Sequence, residues 1–383
     1  MAGPLAGVAV IELAGIGPGP FAGMVLADLG ADVLRIERCA AVGASSPDAA
    51  AHDLLQRGKR SVGVDLKHPE GVELVLDLVE RADVLIEGYR PGVMERLGLG
   101  PETCLERNER LVFGRMTGWG QEGPMAARAG HDIDYVAAAG VLGLIGREGD
   151  LPVPPLNLVG DFGGGGLLLA FGIVCALLVS RANGRGQVVD AAMVDGAALL
   201  NTMLHGEMAA GRWREERGTN LFDSGAPFYD VYECADGELI AVGALEDDFY
   251  KEMLDVMGLP ADDVEDRFDR SRWPTMKQRF AAVFKSQTRD EWLGRAQGRD
   301  CCIAPVLSLH DVAQYPHHVH RRTFVEVAGV TQPAPAPRFS GSPASAPGNP
   351  CRPGENGRQA LADWGIDPRR VRQLIAAGRV VTA

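Results

Sequence analysis

The chain opens on a strand, a glycine–proline turn, a helix and a second strand, and this order constrains its fold more than any other feature. Residues 7–13 (GVAVIEL) alternate towards a strand, Pro20 to Leu29 carries helical spacing, and Asp32 to Glu37 reads as the next strand. The pattern then repeats. Pro69 suits the first turn of a helix bearing Val72, Val75, Leu76 and Val79, and Asp83 to Ile86 follows as a strand. Leu111 to Met116 and Gln187 to Met193 read as further strands, with a helix after Gly130 and a long one from Asp161 between them. Strands joined through helices need crossover connections, which predicts an α/β fold with a parallel, Rossmann-like sheet covered on both faces.

After residue 225 the pattern changes. Tyr229 to Cys234 and Glu238 to Val242 flank Ala235-Asp236-Gly237, whose Asp-Gly step signals a tight hairpin, and helical patterns follow at 247–257 and 275–286. The predicted organisation is a large domain over 1–190, linker helices over 191–225, a small α+β domain over 226–305 and a return segment over 306–383. That last segment contains a strap at 332–353 holding seven of the 24 prolines, then short helices at Gly357 to Trp364 and Pro368 to Ala377 that return to the large domain.

At 383 residues the chain exceeds the ~150 expected of one domain, so it needs no disulfide or metal staple to build a core. Its 38 basic and 51 acidic residues leave a net charge of −13, which argues against a general nucleic-acid binder. Seven cysteines without a CxxC spacing suggest neither a disulfide framework nor a zinc site, and a reducing, cytoplasmic setting fits them best. No metal site is expected at His317, His318 and His320 either, because no acidic or cysteine partner sits at a supporting spacing. MAGPLAGVAVIEL at the start and RVVTA at the end show no targeting signal. The apolar run Gly164 to Ser180 approaches spanning length, yet it is bracketed by Asp161 and Arg181 and reads as a buried helix, not a membrane span.

Five segments carry candidate chemistry. Gly15-Ile16-Gly17-Pro18-Gly19-Pro20 superficially resembles a dinucleotide fingerprint, but its spacing is wrong and two prolines remove N–H donors. It reads as a rigid turn lining a pocket. Arg57-Gly58-Lys59-Arg60, with Lys67, Arg35, Arg38, Arg90 and Arg96, makes either a basic rim for a polyphosphate ligand or a loop of ordinary ion pairs. In Gly130-His131-Asp132-Ile133-Asp134-Tyr135 a histidine stands at a predicted helix start, where free N–H groups suit a developing anion; alone, such a histidine is more often structural. Asp161 reads by default as an N-cap, although four consecutive glycines beside it mark close approach of a backbone or ligand. Glu246 closes a strand as another acid at a helix start.

Together these segments resemble the family III CoA-transferase superfamily. The resemblance rests on GxGPxP after the first strand, RGKRSVxxDLK, EGYRPGVMERLGLGP, RMTGWGQEGP, GHDIDY, PPLNLVGDFGGGG and PGENGRQAL, which span nearly the whole chain in order. Within the superfamily the chain is similar to the 2-methylacyl-CoA racemases, because His131, Asp161 and Glu246 stand where that branch has its histidine, aspartate and glutamate. The resemblance implies the family fold, an interlocked homodimer, an acyl-CoA substrate, and neither cofactor nor metal. His131 and Asp161 would serve as the two bases that invert the carbon beside a thioester, and Glu246, supplied by the partner subunit, would orient His131. CoA contacts carry over to Arg38, Val64, Asp65, Leu66, Lys67, Arg90 and Arg96, and Gly130, Asp132, Ile133, Asp134 and Tyr135 would surround the thioester end. The acyl site is expected to be a broad apolar surface. Two rivals remain: a CoA-transferase using Asp161 as nucleophile, and a non-catalytic acyl-CoA-binding protein.

Overall fold

The computed structural model describes residues 3–44, 46–260 and 266–383; Met1 and Ala2 of the opening segment and residues 261–265 of the predicted small domain lie outside them. The chain divides into two compact units. The larger takes the described residues of Met1–Ala139, Leu156–Leu200 and Val319–Ala383, and the smaller those of Gly140–Pro155 and Asn201–His318. These boundaries differ from a linear division at 190, 225 and 305, because Gly140–Pro155 groups with Asn201–His318 rather than with its neighbours in the chain.

The large unit is built on seven strands: β1 (Ala9–Leu13), β2 (Asp32–Glu37), β3 (Arg60–Val64), β4 (Val84–Glu87), β5 (Val112–Thr117), β6 (Gln187–Ala192) and, at the chain's end, Val380–Val381. Their order is Val380–Val381, β3, β2, β1, β4, β5, β6, and β1 to β6 pair in parallel. The sheet is therefore mixed rather than wholly parallel, since the C-terminal strand adds antiparallel to β3 at the edge. Alternate side chains of each strand enter opposite cores, as a period of two requires. Ile11, Leu34 and Leu85 face one core with the helices Pro69–Val79, Gly357–Asp363 and Pro368–Ala376. Val10, Val33 and Val84 face the other, with Pro18–Asp28 and Leu168–Asn183.

Strand β3 is hidden in the sequence by its charges. Lys59 at its threshold is fully buried: Nζ donates to Glu12 Oε2 at 2.7 Å, the Pro20 carbonyl at 2.9 Å and Gln56 Oε1 at 3.3 Å. Arg57, also buried, grips Asp28 and donates to Gln332 Oε1, and Arg60 pairs with Asp32 and Asp363. Of the eight cations read as a possible basic rim, Arg57, Lys59, Arg60 and Arg35 are thus held in structural ion pairs. Arg38, Lys67, Arg90 and Arg96 remain exposed and make no ion pair among the described residues.

The apolar run Gly164 to Ser180 lies in a continuous helical stretch, Leu158–Asn183, long and apolar enough to cross a membrane. It is only half-buried, contrary to the buried helix expected. Leu169, Ile173 and Leu177 enter the core, whereas Leu167, Phe171 and Leu178 are each more than half exposed. Beyond Gln332 and Pro333, which end the strand Val330–Pro333, the proline strap adds no helix or strand. Its end lies against the large unit, where Asn349 O accepts from Gly58 N and Cys351 N donates to Gln56 O.

In the small unit the expected hairpin is present as β7 (Tyr229–Glu233) and β8 (Leu239–Gly243), and β9 (Ile303–Pro305) joins it antiparallel. The helices Asp247–Met257, Trp273–Phe284 and Arg289–Ala296 bury Tyr250, Phe280, Phe284 and Trp292 against it.

Replacing Lys59 by Met strands the Glu12 carboxyl in the core, and loss of one member of a buried pair costs roughly 3–5 kcal/mol. Urea denaturation of K59M is expected to show that loss, and the double variant E12L/K59M to regain most of it.

Candidate active site

In an open sheet wound in two directions, ligands bind at the carboxyl ends of the strands where the order reverses. Here the reversal falls between β1, followed outward by β2, and its other neighbour β4. A cavity of about 370 Å³ opens at that point. Its wall is the turn 15–20 after β1, the loop 88–91 after β4, the segment 116–119 ending β5, and His131, Tyr135 and Asp161. The glycine–proline turn thus lines a pocket, as its rigidity suggested.

His131 is the N-cap of the short helix Asp132–Ala138, and its N–H donates to Asp134 Oδ2 at 2.9 Å. Its ring is exposed at the cavity. Asp161 is not an N-cap. It lies in the first turn of a π-helix, Leu158–Leu167, that runs directly into the α-helix Leu168–Asn183. π-Turns are rare and concentrate at functional positions, because the wider coil displaces one residue from the regular ladder. Asn157 Nδ2 donates to Asp161 Oδ2 at 3.3 Å, and the Asp161 N–H donates to Asp132 Oδ2 at 2.7 Å. Burial pushes the Asp161 carboxyl above the ordinary aspartate range; the Asn157 hydrogen bond opposes this, Asp132 adds to it, and His131 opposes it.

The glycines around the site answer to close packing. A Cβ on Gly164 would meet Ala197 N at 2.6 Å, and one on Gly166 would meet Pro18 O at 2.6 Å. The four-glycine run therefore admits the backbones of the helices Met193–Leu200 and Pro18–Asp28. Gly118 and Gly130 share one neighbour: a Cβ on either would strike the Tyr135 ring, at 2.0 and 2.7 Å. Tyr135 also meets Trp119 edge-on at 4.9 Å, and burial followed by the Asp161 and Asp134 charges raises its phenol.

Of the residues named from sequence, Gly130, His131, Tyr135, Asp161 and Arg90 line this cavity. Asp132 is buried behind it, whereas Ile133 and Asp134 are exposed on the helix. Arg38 lies close enough to bear on Tyr89, a cavity residue that sequence reasoning passed over. Arg96 is exposed at the end of the short helix Val93–Arg96. Val64, Asp65, Leu66 and Lys67 sit two strands away at the carboxyl end of β3. Val64 is a core side chain, so only its main chain can meet a ligand, while Lys67 is exposed. Trp119 and Arg128 also line the cavity without having been singled out; they sit in irregular segments with no periodic signal.

Glu246 belongs to the small unit, where it is exposed as the N-cap of Asp247–Met257 and bears on the Cys302 thiol. That unit holds a larger, mostly apolar cavity of about 800 Å³, walled by Leu144, Trp213, Phe222, Tyr229 and Cys302 among others. No histidine lines it, whereas His131 and Asp161 both stand on the wall of the smaller cavity. Among the described residues, no group of three or more metal-ligating side chains occurs.

The model of CoA-transferase family III matches residues 5–356. An alpha-methylacyl-CoA racemase from Mus musculus is 44% identical over 373 residues, covering 97% of this chain and 96% of the relative. The protein of that name from Homo sapiens is 43% identical over 376 residues, with coverages of 97% and 96%. A crystal structure of a CAIB/BAIF family protein from Brucella suis superposes with a TM-score of 0.79 at 27% identity, covering 95% of this chain and all of that one. With its sheet order, its switch-point cavity and a family match over most of its length, the chain belongs to CoA-transferase family III.

Proposed function

We propose that the protein is an isomerase that interconverts the R and S forms of 2-methylacyl-CoA thioesters without a cofactor. The observation that carries this reading is the placement of an exposed imidazole and a half-buried carboxyl, His131 and Asp161, on the wall of one cavity. Inversion beside a thioester needs one group to remove the α-proton and another to return a proton on the opposite face. A single base could not do both. The 44% identity to an alpha-methylacyl-CoA racemase over 97% of the chain supports the same assignment.

The chemistry follows from the two groups as a pair. In one direction Asp161 takes the proton while the His131 imidazolium supplies one; in the other, neutral His131 takes it while protonated Asp161 supplies it. Both directions use the pair with a single proton shared between them, so the rate is bell-shaped in pH and its limbs belong to the pair. Desolvation of Asp161 favours its protonated form, the form that donates in the second direction. Charge developing on the thioester oxygen is received by the Asp132 N–H, since the His131 N–H already donates to Asp134. Exposed Arg38, Lys67, Arg90 and Arg96 are the cations left to hold CoA phosphates.

Glu246, from the second subunit of an interlocked dimer, accepts the other ring proton of His131 and sets its tautomer. The exposed Leu167, Phe171 and Leu178 support a subunit interface on the large unit, as apolar patches of this kind mark association surfaces. All seven cysteines are free thiols, in keeping with a reducing, cytoplasmic setting.

One enantiomer of a 2-methylacyl-CoA incubated in D₂O tests the reaction. Wild-type protein is expected to equilibrate the epimers with α-deuterium uptake and no acceptor acid, and H131A and D161A to lose roughly 10³-fold in rate. Capture of CoA by added carboxylic acids without exchange would instead make Asp161 a nucleophile and the protein a transferase. Binding without turnover would leave an acyl-CoA carrier.

The origin of Glu246 has its own test. H131A and E246A chains, each inactive, are co-expressed with different affinity tags and the mixed dimer is isolated. If Glu246 acts across the interface, that dimer holds one intact site and regains activity; if it acts within its own chain, activity stays at the level of the parents.

A further inference from the structure

The Asp132 carboxylate has no place in the two-base scheme, yet it is the acidic group most intimately packed against it. It is 93% buried by its 7% exposure, at the first position of the helix that follows His131. One oxygen, Oδ2, accepts the Asp161 N–H at 2.7 Å. The other, Oδ1, is buried without a hydrogen-bond partner among the described residues. A Cβ on Gly160 would come within 2.5 Å of Oδ2, so the carboxylate is wedged against the π-helix backbone where Asp161 departs from it. An orphaned buried carboxylate oxygen is costly, and a purely structural clamp for one N–H is served as well by a neutral acceptor.

We infer that Asp132 is a positioning residue for Asp161: by accepting the Asp161 N–H its carboxylate clamps the π-helix main chain at the reacting residue and so holds a like charge beside it. This deepens the racemase reading and rests on it for its catalytic consequence. A neighbouring negative charge disfavours ionisation, so Asp132 reinforces the upward push that burial gives Asp161. The other groups around Asp161 do not supply that push. Asn157, on the same helix, and His131 both act in the opposite direction. Tyr135, from the helix Asp132–Ala138, is itself raised and stays neutral near pH 7. The turn ahead of Pro18–Asp28 presents Gly17 here, without charge. Asp195, on Met193–Leu200, acts on Asp190 of β6, and Arg115 of β5 is paired with Glu87 and Glu95. The α-helix that continues the π-turn carries its basic residue, Arg181, in its last turn, remote from Asp161.

The test compares wild-type protein with D132N and D132A. Side-chain carboxyls of aspartate are labelled with ¹³C, the Asp161 resonance is assigned by its loss in D161N, and its titration is followed without substrate. The pH dependence of kcat and KM for α-deuterium exchange into a 2-methylacyl-CoA is measured alongside. Asparagine keeps an oxygen to accept the Asp161 N–H and removes the charge, so the Asp161 midpoint is expected to fall by about one pH unit in D132N. The acid limb of kcat moves to lower pH with it, and KM is unchanged. Alanine removes the acceptor too, and the displaced carboxyl is expected to cost about 10²-fold in kcat. A D132N midpoint equal to that of wild type overturns the inference, as does an unmoved acid limb in an enzyme that exchanges. Should D132A fail to fold, D132N carries the test. Because the titration needs no substrate, a wild-type protein that shows no exchange refutes the racemase reading while the midpoint still decides the electrostatic role of Asp132.

Discussion

The buried pair of Lys59 and Glu12 ties together the parts on which the site depends. Glu12 stands one residue from the end of β1 on the face covered by Pro18–Asp28, and Lys59 enters from the edge of β3, crossing beneath β2. The Lys59 ammonium also takes the Pro20 carbonyl, so the turn 15–20 is anchored from below by a charge that has no solvent to compete for it. Burial pushes Glu12 up and Lys59 down: each charged form is tolerated only because the other is present. Arg35 extends the network to Glu37, and a Cβ on Gly23 would lie 1.9 Å from Glu12 Oε2, so the helix must present glycine there.

From that anchor the geometry passes to the cavity wall at Asp161 through backbone contacts. Gly17, in the anchored turn, lies against the Asp161 carboxyl, where a Cβ would come within 3.2 Å of Oδ2. The glycines of the π-helix let Asp161's element settle onto Pro18 on one side and onto Gly196 and Ala197 on another. Close backbone packing leaves few ways for the coil to relax, and the π-turn is the conformation that holds Asp161 beside His131 and over Asp132. Tyr135 performs the same service for His131's surroundings, since its ring occupies the space that Gly118 and Gly130 leave open. Motifs far apart in the chain are thus complementary surfaces of one wall.

Much of the large unit was legible because its strands and helices carry their burial in their periodicity. Asp32–Glu37 was read to the residue, and β1, β4, β5 and β6 fell within two residues of their observed limits. β3 was missed because Lys59, Arg60 and Ser61 look like surface, although each is neutralised or bonded by a residue from elsewhere. The short C-terminal strand and the hairpin Phe324–Val327 and Val330–Pro333 offer too few residues for a pattern to declare itself. Asp161 was legible as a chemical group but not as a member of a π-helix, since an aspartate ahead of an apolar run carries the same local signal as a cap.

The sequence by itself determined the alternation of strands and helices, the change to an antiparallel hairpin after residue 225, and, through its motifs, membership of CoA-transferase family III. These are properties of neighbours in the chain: side-chain period, turn residues and residue type. Only the tertiary structure decided which cations remain exposed, why the glycines cannot carry side chains, and that Asp132 stands behind Asp161. Such facts depend on atoms brought together from strands and helices distant in sequence, and no local pattern records whether a charge will find its partner or a backbone its neighbour.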